Sequence, residues 1–322
     1  MALRWFVPEL NDTEFGAYVM NYHSRNPYLS LVQSTDTQAF SAATAVPKVR
    51  ASRYFVDYPE DIRLYGLSFQ TNLGGTSVGG EVSYRPNMPL QINTADLNLA
   101  AIRQIALVNG VPTPVSPVFV GGEQTPSPGA LLPGYKRMPV YQTQVTATQF
   151  VDQVLGASRL TLIGEVGYNH ISGLGSSDGT DVRFGRSPIW GAGQLLDAAN
   201  TAPTPNTCVG TNVGLPNASN PQQRCSSHGF YTADSWGYRA RASLNYSNVF
   251  AGINLTPSLA WSHDVEGFGP NFEEGVKAVS IGLDAEYAST YTASLSYTDF
   301  FGGKFNTNTD RDFVALSFGV NF

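Results

Sequence analysis

Residues 279–298 read VSIGLDAEYASTYTASLSYT, and residues 313–322 read FVALSFGVNF. In the first stretch Val279, Ile281, Leu283, Ala285 and Tyr287 alternate with Ser280, Gly282, Asp284 and Glu286. After Ala288-Ser289-Thr290 the pattern resumes, with Tyr291, Ala293, Leu295 and Tyr297 set against Thr292, Ser294, Ser296 and Thr298. The last stretch sets Val314, Leu316, Phe318, Val320 and Phe322 against Phe313, Ala315, Ser317, Gly319 and Asn321. Successive side chains of a strand point to opposite faces, so a period of two marks a strand that is apolar on one side only. Three antiparallel strands follow, ending on an aromatic residue.

Working back toward the N-terminus, the same period recurs in Ile253, Leu255, Pro257, Leu259 and Trp261, and in Trp236, Tyr238, Ala240, Ala242, Leu244 and Tyr246. A turn at Ser247-Asn248-Val249 joins them, and Pro257, lacking an N–H, predicts a local bulge. Further pairs are about 141–151 with 159–170, then 65–73 with 78–85 across Gly74-Gly75, and 2–7 with about 14–23 around Glu9-Leu10-Asn11-Asp12. Tight turns therefore alternate with long segments at about 24–61, 88–137, 171–231, 264–274 and 301–310. Short turns on one side and long loops on the other are the asymmetry of bacterial outer-membrane barrels. The strands also reach the roughly 9–11 residues that cross a bilayer, longer than those of a secreted β-sandwich or solenoid. The reading is a single all-β domain over 1–322, an antiparallel up-and-down transmembrane β-barrel of about eleven strands. An odd count, and the missing leader ahead of Ala2-Leu3-Arg4-Trp5, suggest an N-terminally truncated chain.

Composition supports this by exclusion. A formal net charge of -6 offers no basic footprint for nucleic acid. No run approaches the roughly 20 apolar residues of a transmembrane helix. Cys208 and Cys225 lie in a polar Gly/Asn/Pro stretch and read as one loop disulfide, with two free thiols as the alternative. There is no H-E-x-x-H, no G-x-S-x-G and no cysteine pair at zinc spacing, so neither an enzyme nor a metal or other cofactor is expected.

Charged residues on the polar faces are the candidate site: Glu81, Arg85, Glu165, Arg239, Arg241, Asp284 and Glu286. They would line a permeation path, as charged rings do in pores, or serve only as the paired network that any barrel interior needs. A second candidate is Thr94 to Val108, where Thr94 reads as an N-cap and Leu97, Ala101, Ile105 and Val108 recur at helical spacing. This helix would guard the external mouth, or pack on the rim.

Three blocks carry a resemblance: Glu9-Leu10-Asn11-Asp12-Thr13-Glu14-Phe15-Gly16 with Met20-Asn21-Tyr22-His23-Ser24-Arg25, then 58–69, YPEDIRLYGLSF, and 80–91, GEVSYRPNMPLQ. They resemble the proteobacterial domain-of-unknown-function family 1302, in its C-terminal portion. The resemblance implies an outer-membrane location and a barrel of broadly long-chain fatty-acid transporter type. It identifies no substrate. The expected function is passive passage of a hydrophobic or amphipathic small molecule, with outer-membrane lipid and, through the strand ending at Phe322, the barrel assembly machinery as partners. The alternative is a non-transporting surface barrel whose long loops bind a partner or support an envelope complex.

Overall fold

The computed structural model describes residues 1–38, 42–102, 105–108, 111–114, 116–196, 203–204 and 224–321. One eleven-stranded sheet dominates, and each strand pairs antiparallel with its neighbour in sequence. Its strands are β1 (Ala2–Val7), β2 (Thr13–Tyr22), β3 (Ile62–Leu73), β4 (Thr76–Gln91), β5 (Tyr135–Asp152) and β6 (Arg159–Ile171), followed by β7 (Asp234–Phe250), β8 (Ile253–Glu266), β9 (Val276–Tyr287), β10 (Tyr291–Gly302) and β11 (Phe313–Val320). The count equals the sequence expectation. Among the described residues β1 pairs only with β2 and β11 only with β10, so the sheet has two edges and is not closed into a barrel. Phe322 lies outside the described residues.

Residues directly opposite in an antiparallel pair share a face, so the register extends each strand's alternation across the sheet. One row runs Leu162, Ala242, Leu259, Ile281, Tyr297 and Val314. Its counterpart on the other face runs Gln70, Gly79, Thr146, Glu165, Arg239 and Ser262. The first face is apolar and open: Leu259, Ile281, Val314, Leu316 and Phe318 are all exposed. Aromatic residues bound it at both ends. Tyr65, Tyr84, Tyr141 and His170 form a row at the long-loop end, with the Tyr84 and Tyr141 rings stacked at 4.4 Å, and Tyr287 stacks on Tyr291 at the short-turn end.

Three details of the wall differ from the sequence reading. Pro257 makes no bulge: Ser243 still pairs with Ser258 and Tyr246 with Leu255, so the register passes the proline unshifted and only its own missing bond is lost. The pairing of β7 with β8 shifts instead between Trp236 and Gly237 and at the expected Ser247-Asn248-Val249 turn, which lies within β7. The pairing shifts between Tyr246 and Phe250, Asn248 takes φ 50°, and the chain reverses at Ala251-Gly252. A bulge also lies opposite Pro139, between Met138 and Val140, and β4 and β5 continue past it to Gln91 and Tyr135.

These extensions carry Leu90 and Met138 into a core built by the long segments. Leu31, Ile92, Leu97, Ala100, Ala101, Val118, Phe119, Leu132, Val182 and Phe184 pack with Val140 and Ile171 from the wall. Val140 and Ile171 continue the polar face of β5 and β6, so the long segments fold onto that face as a cap. Helices α1 (Ala42–Arg50), α2 (Thr94–Ala101) and α3 (Pro117–Val120) belong to these segments. The expected helix over Thr94–Val108 is thus half a helix. Asn93, not Thr94, is its cap, accepting the N–H groups of Ala95 and Asp96. Ile105–Val108 instead pairs as a strand with Val111–Pro114, in keeping with the β preference of branched residues. Inside the cap the Asp96 carboxylate meets Arg183 at 2.6 and 3.0 Å with both side chains fully enclosed, and Arg183 also donates to the carbonyls of Ala192 and Gln194. That arginine ties the segment before β5 to the segment before β7.

Leu97 is completely buried in this cluster. Leu97→Ala is expected to cost about 2–5 kcal/mol, and to cost it locally. Hydrogen exchange should quicken over Thr94–Ala101 while amides of β9 and β10 keep their protection. Equal loss across the sheet would contradict a cap that packs as its own unit.

Candidate functional site

The polar face of β5–β8 carries the densest group of functional side chains. Glu165 of β6 lies directly opposite Arg239 of β7, with Arg241 two residues further along the same face. Arg239 Nη2 donates to Asp264 Oδ1 at 2.6 Å, and Nη1 donates to the Tyr238 carbonyl. Glu165 accepts from the Thr146 hydroxyl at 2.9 Å. Arg241 is exposed and makes no ion pair among the described residues.

Over this group the connection between β8 and β9 turns back onto the sheet. Gly167 and Gly237 are paired across β6 and β7, and Phe272 rests on the floor they leave. A methyl group added at Gly167 would stand 2.9 Å from the Phe272 ring, and one at Gly237 3.0 Å from it. Arg239 faces the same ring at 5.9 Å. The loop is held by Asp264, whose Oδ2 accepts from the Glu273 N–H at 2.9 Å and whose carbonyl accepts from Gly275. At Gly267, φ is +79° and a Cβ would lie 2.1 Å from the Asp234 carbonyl, so only glycine fits where the loop leaves the strand.

Between loop and wall lies a recess of about 280 Å³. Gln142, Gln144, Glu165, Asn169, Arg239, Asn271 and Phe272 are among its lining residues. Asn169 is 1% exposed; its Oδ1 accepts from Asn271 at 3.4 Å, while its Nδ2 has no partner.

The seven charged residues expected on one face do share it, but they do not form one ring. Glu165, Arg239 and Arg241 are adjacent. Glu81 lies across β5, opposite Gln144. Arg85, donating to Gln142 Oε1 at 3.3 Å, sits toward the cap. Asp284 and Glu286 lie far down β9, paired with Ser294 and Thr292. Six residues separate Asp284 from Ala278, the residue in register with Ser262 and Arg239, or about 20 Å of strand at about 3.3 Å per residue. Of the helix candidates, Leu97 and Ala101 are buried cap core and offer no exposed guarding surface; Ile105 and Val108 belong to the hairpin. Cys208 lies outside the described residues, so its pairing with Cys225 stays an expectation; Cys225 is buried beside Leu99, Ala192 and Leu195.

Asp264, Asn271 and Phe272 fall in the long segment at about 264–274, and Asn169, Gln142 and Gln144 carry no charge, so the sequence alone does not single them out. Asn169 shares Glu165's parity within β6, whereas the face of Gln142 and Gln144 follows only from the pairing of β5 with β6. That Phe272 folds back onto a glycine pair emerges only from the cross-strand register.

Glu273 in this loop is half-buried, and desolvation, with the Asp264 charge beside it, pushes its pKa up to about 6. A carboxyl raised in the folded state favours folding most when it is protonated, so its contribution is lost as pH rises from about 4.5 through about 6. Intrinsic-rate-corrected hydrogen exchange across residues 267–275 should therefore be slower at pH 5 than at pH 7. Glu273→Gln should remove most of that difference; a difference that persists would locate the titrating group elsewhere.

The family model described as "Protein of unknown function (DUF1302)" matches residues 1–322. No curated protein matches the chain. Among solved structures, an anion-selective porin from Comamonas acidovorans is similar at 10% identity, over 89% of this chain and 79% of the porin, with a TM-score of 0.16. A score that low carries no argument about fold or function, and none of these matches bears out a fatty-acid transporter likeness. The match along its whole length makes this chain a member of the DUF1302 family.

Proposed function

We propose that the eleven strands belong to the wall of an outer-membrane β-barrel, in which the free edges of β1 and β11 must be paired, and that their polar face conducts a small amphipathic molecule past the cap. The observation that carries this reading is the exposed apolar face bounded at both ends by aromatic residues. On β7 the bounding residues are Trp236 and Tyr246, and on β10 they are Phe301 and Tyr291. Each pair is ten residues apart, about 33 Å of strand at about 3.3 Å per residue. With the roughly 40° tilt of such strands, the band is about 25 Å tall, the height that lipid-facing bands have. Soluble proteins rarely expose apolar patches beyond a few hundred Å², and this face spans eleven strands.

The polar face supports the conducting role through small residues that leave room along it, such as Ser258, Ala260, Ser280, Gly282 and Ser296, beside the charged group at Glu165 and Arg239. The packed cap favours a second reading, a surface barrel that does not conduct and uses its long segments to hold a partner. Recruitment by the barrel assembly machinery would run through the C-terminal strand in either case.

Heat-modifiable gel mobility of protein refolded in detergent, with planar-bilayer conductance on the same sample, separates these readings. The proposal expects a compact band that is lost on boiling, together with stepwise conductance that rises when the cap is loosened by Leu97→Ala. A compact band without conductance in either form would select the surface-barrel reading. Absence of a compact band would contradict both.

A further inference from the structure

We infer that the recess beneath the loop between β8 and β9 is a binding subsite for a neutral, hydroxyl-rich ring of monosaccharide size, formed by Gln142, Gln144, Glu165, Asn169, Arg239 and Asn271 against Phe272. The inference rests on the conduit reading and names the polar group that the passage accepts. It begins with the side chains themselves. Four carboxamides line one recess, and each both donates and accepts. Gln144 makes no side-chain hydrogen bond among the described residues, and Asn169 Nδ2 is buried without a partner. A buried donor left unpaired is costly, and an apolar occupant would leave both amides unsatisfied.

Charge decides against the ionic alternatives. Arg239 is already held by Asp264 at 2.6 Å and lies opposite Glu165. The charged groups that line the recess, Arg239 and Glu165, balance each other, so an anion would meet the carboxylate and a cation the guanidinium, with no net charge to favour either. Hydroxyl groups suit this lining, because each can accept from an amide or the guanidinium and donate to a carboxylate. Phe272 adds an apolar surface for the C–H face of a ring. The volume, about 280 Å³, lies at the small end of ligand sites and has room for one ring.

The test uses the full chain refolded in a detergent without a sugar head group. Saturation-transfer NMR and calorimetry are run with D-glucose as the probe and propionate as the charged comparison. Saturable glucose binding is expected, tighter than any propionate binding, and the double variant Gln144→Ala/Asn271→Ala should weaken it by about tenfold or more, from two lost hydrogen bonds. Phe272→Ala should weaken it as well, while heat-modifiable mobility of each variant stays that of the parent. A compact protein that binds no glucose, binds propionate more tightly, or binds glucose equally well in the variants overturns this inference and leaves the conduit reading standing. A chain that never forms the compact species overturns both.

Discussion

The two-residue period of an extended chain, carried from strand to strand by antiparallel pairing, is the constraint on which the rest of this structure depends. A one-residue slip of β8 against β7 would exchange the faces beyond it, placing Leu259 and Ile281 on the side of Glu165 and Arg239 and turning Ser262 away. The pairing avoids that over eleven strands, even where Pro257 removes a ladder bond. Where irregularity is present, it lies toward strand ends: opposite Pro139 beneath the cap, between Trp236 and Gly237 at the start of β7, and at Asn248 beside the short turn. The middle of the sheet keeps one apolar and one polar side throughout.

The polar side is then furnished from above. The long segments fold down onto it, held by the Leu97 cluster and the enclosed Asp96–Arg183 pair, so the long-loop end of the face is covered by protein. Below the cap the β8–β9 connection adds a second, smaller cover. There a glycine pair admits Phe272, and Asp264 holds both Arg239 and the loop backbone. The recess between them owes its polarity to the wall and its shape to the loop. An aspartate bonded to both couples the position of the guanidinium to that of the loop.

Much of the wall was legible in the sequence, because strand period and turn residues are local signals: eleven strands, and the face of each charged candidate, followed from them. The misreadings have physical causes. Helical spacing at Leu97, Ala101, Ile105 and Val108 was real but short, and it could not reveal that Asn93 caps the helix or that the branched residues beyond it pair as a hairpin. Parity gives a residue's face but not its height, so Asp284 and Glu286 seemed to join Glu165 although they lie near the opposite end of the wall. The recess depends on a loop folding back on a cross-strand glycine pair, a contact between residues about a hundred positions apart in the case of Gly167 and Phe272. No local pattern encodes it.

If the apolar face meets lipid, the four tryptophans of the chain divide by their distance from acyl chains. Trp5, Trp236 and Trp261 stand on that face, whereas Trp190 packs in the cap against Phe305 at 5.9 Å. In single-tryptophan variants reconstituted with lipids brominated along their acyl chains, Trp261 should be strongly quenched and Trp190 little. Equal, weak quenching at both positions would mean that the apolar face does not meet lipid.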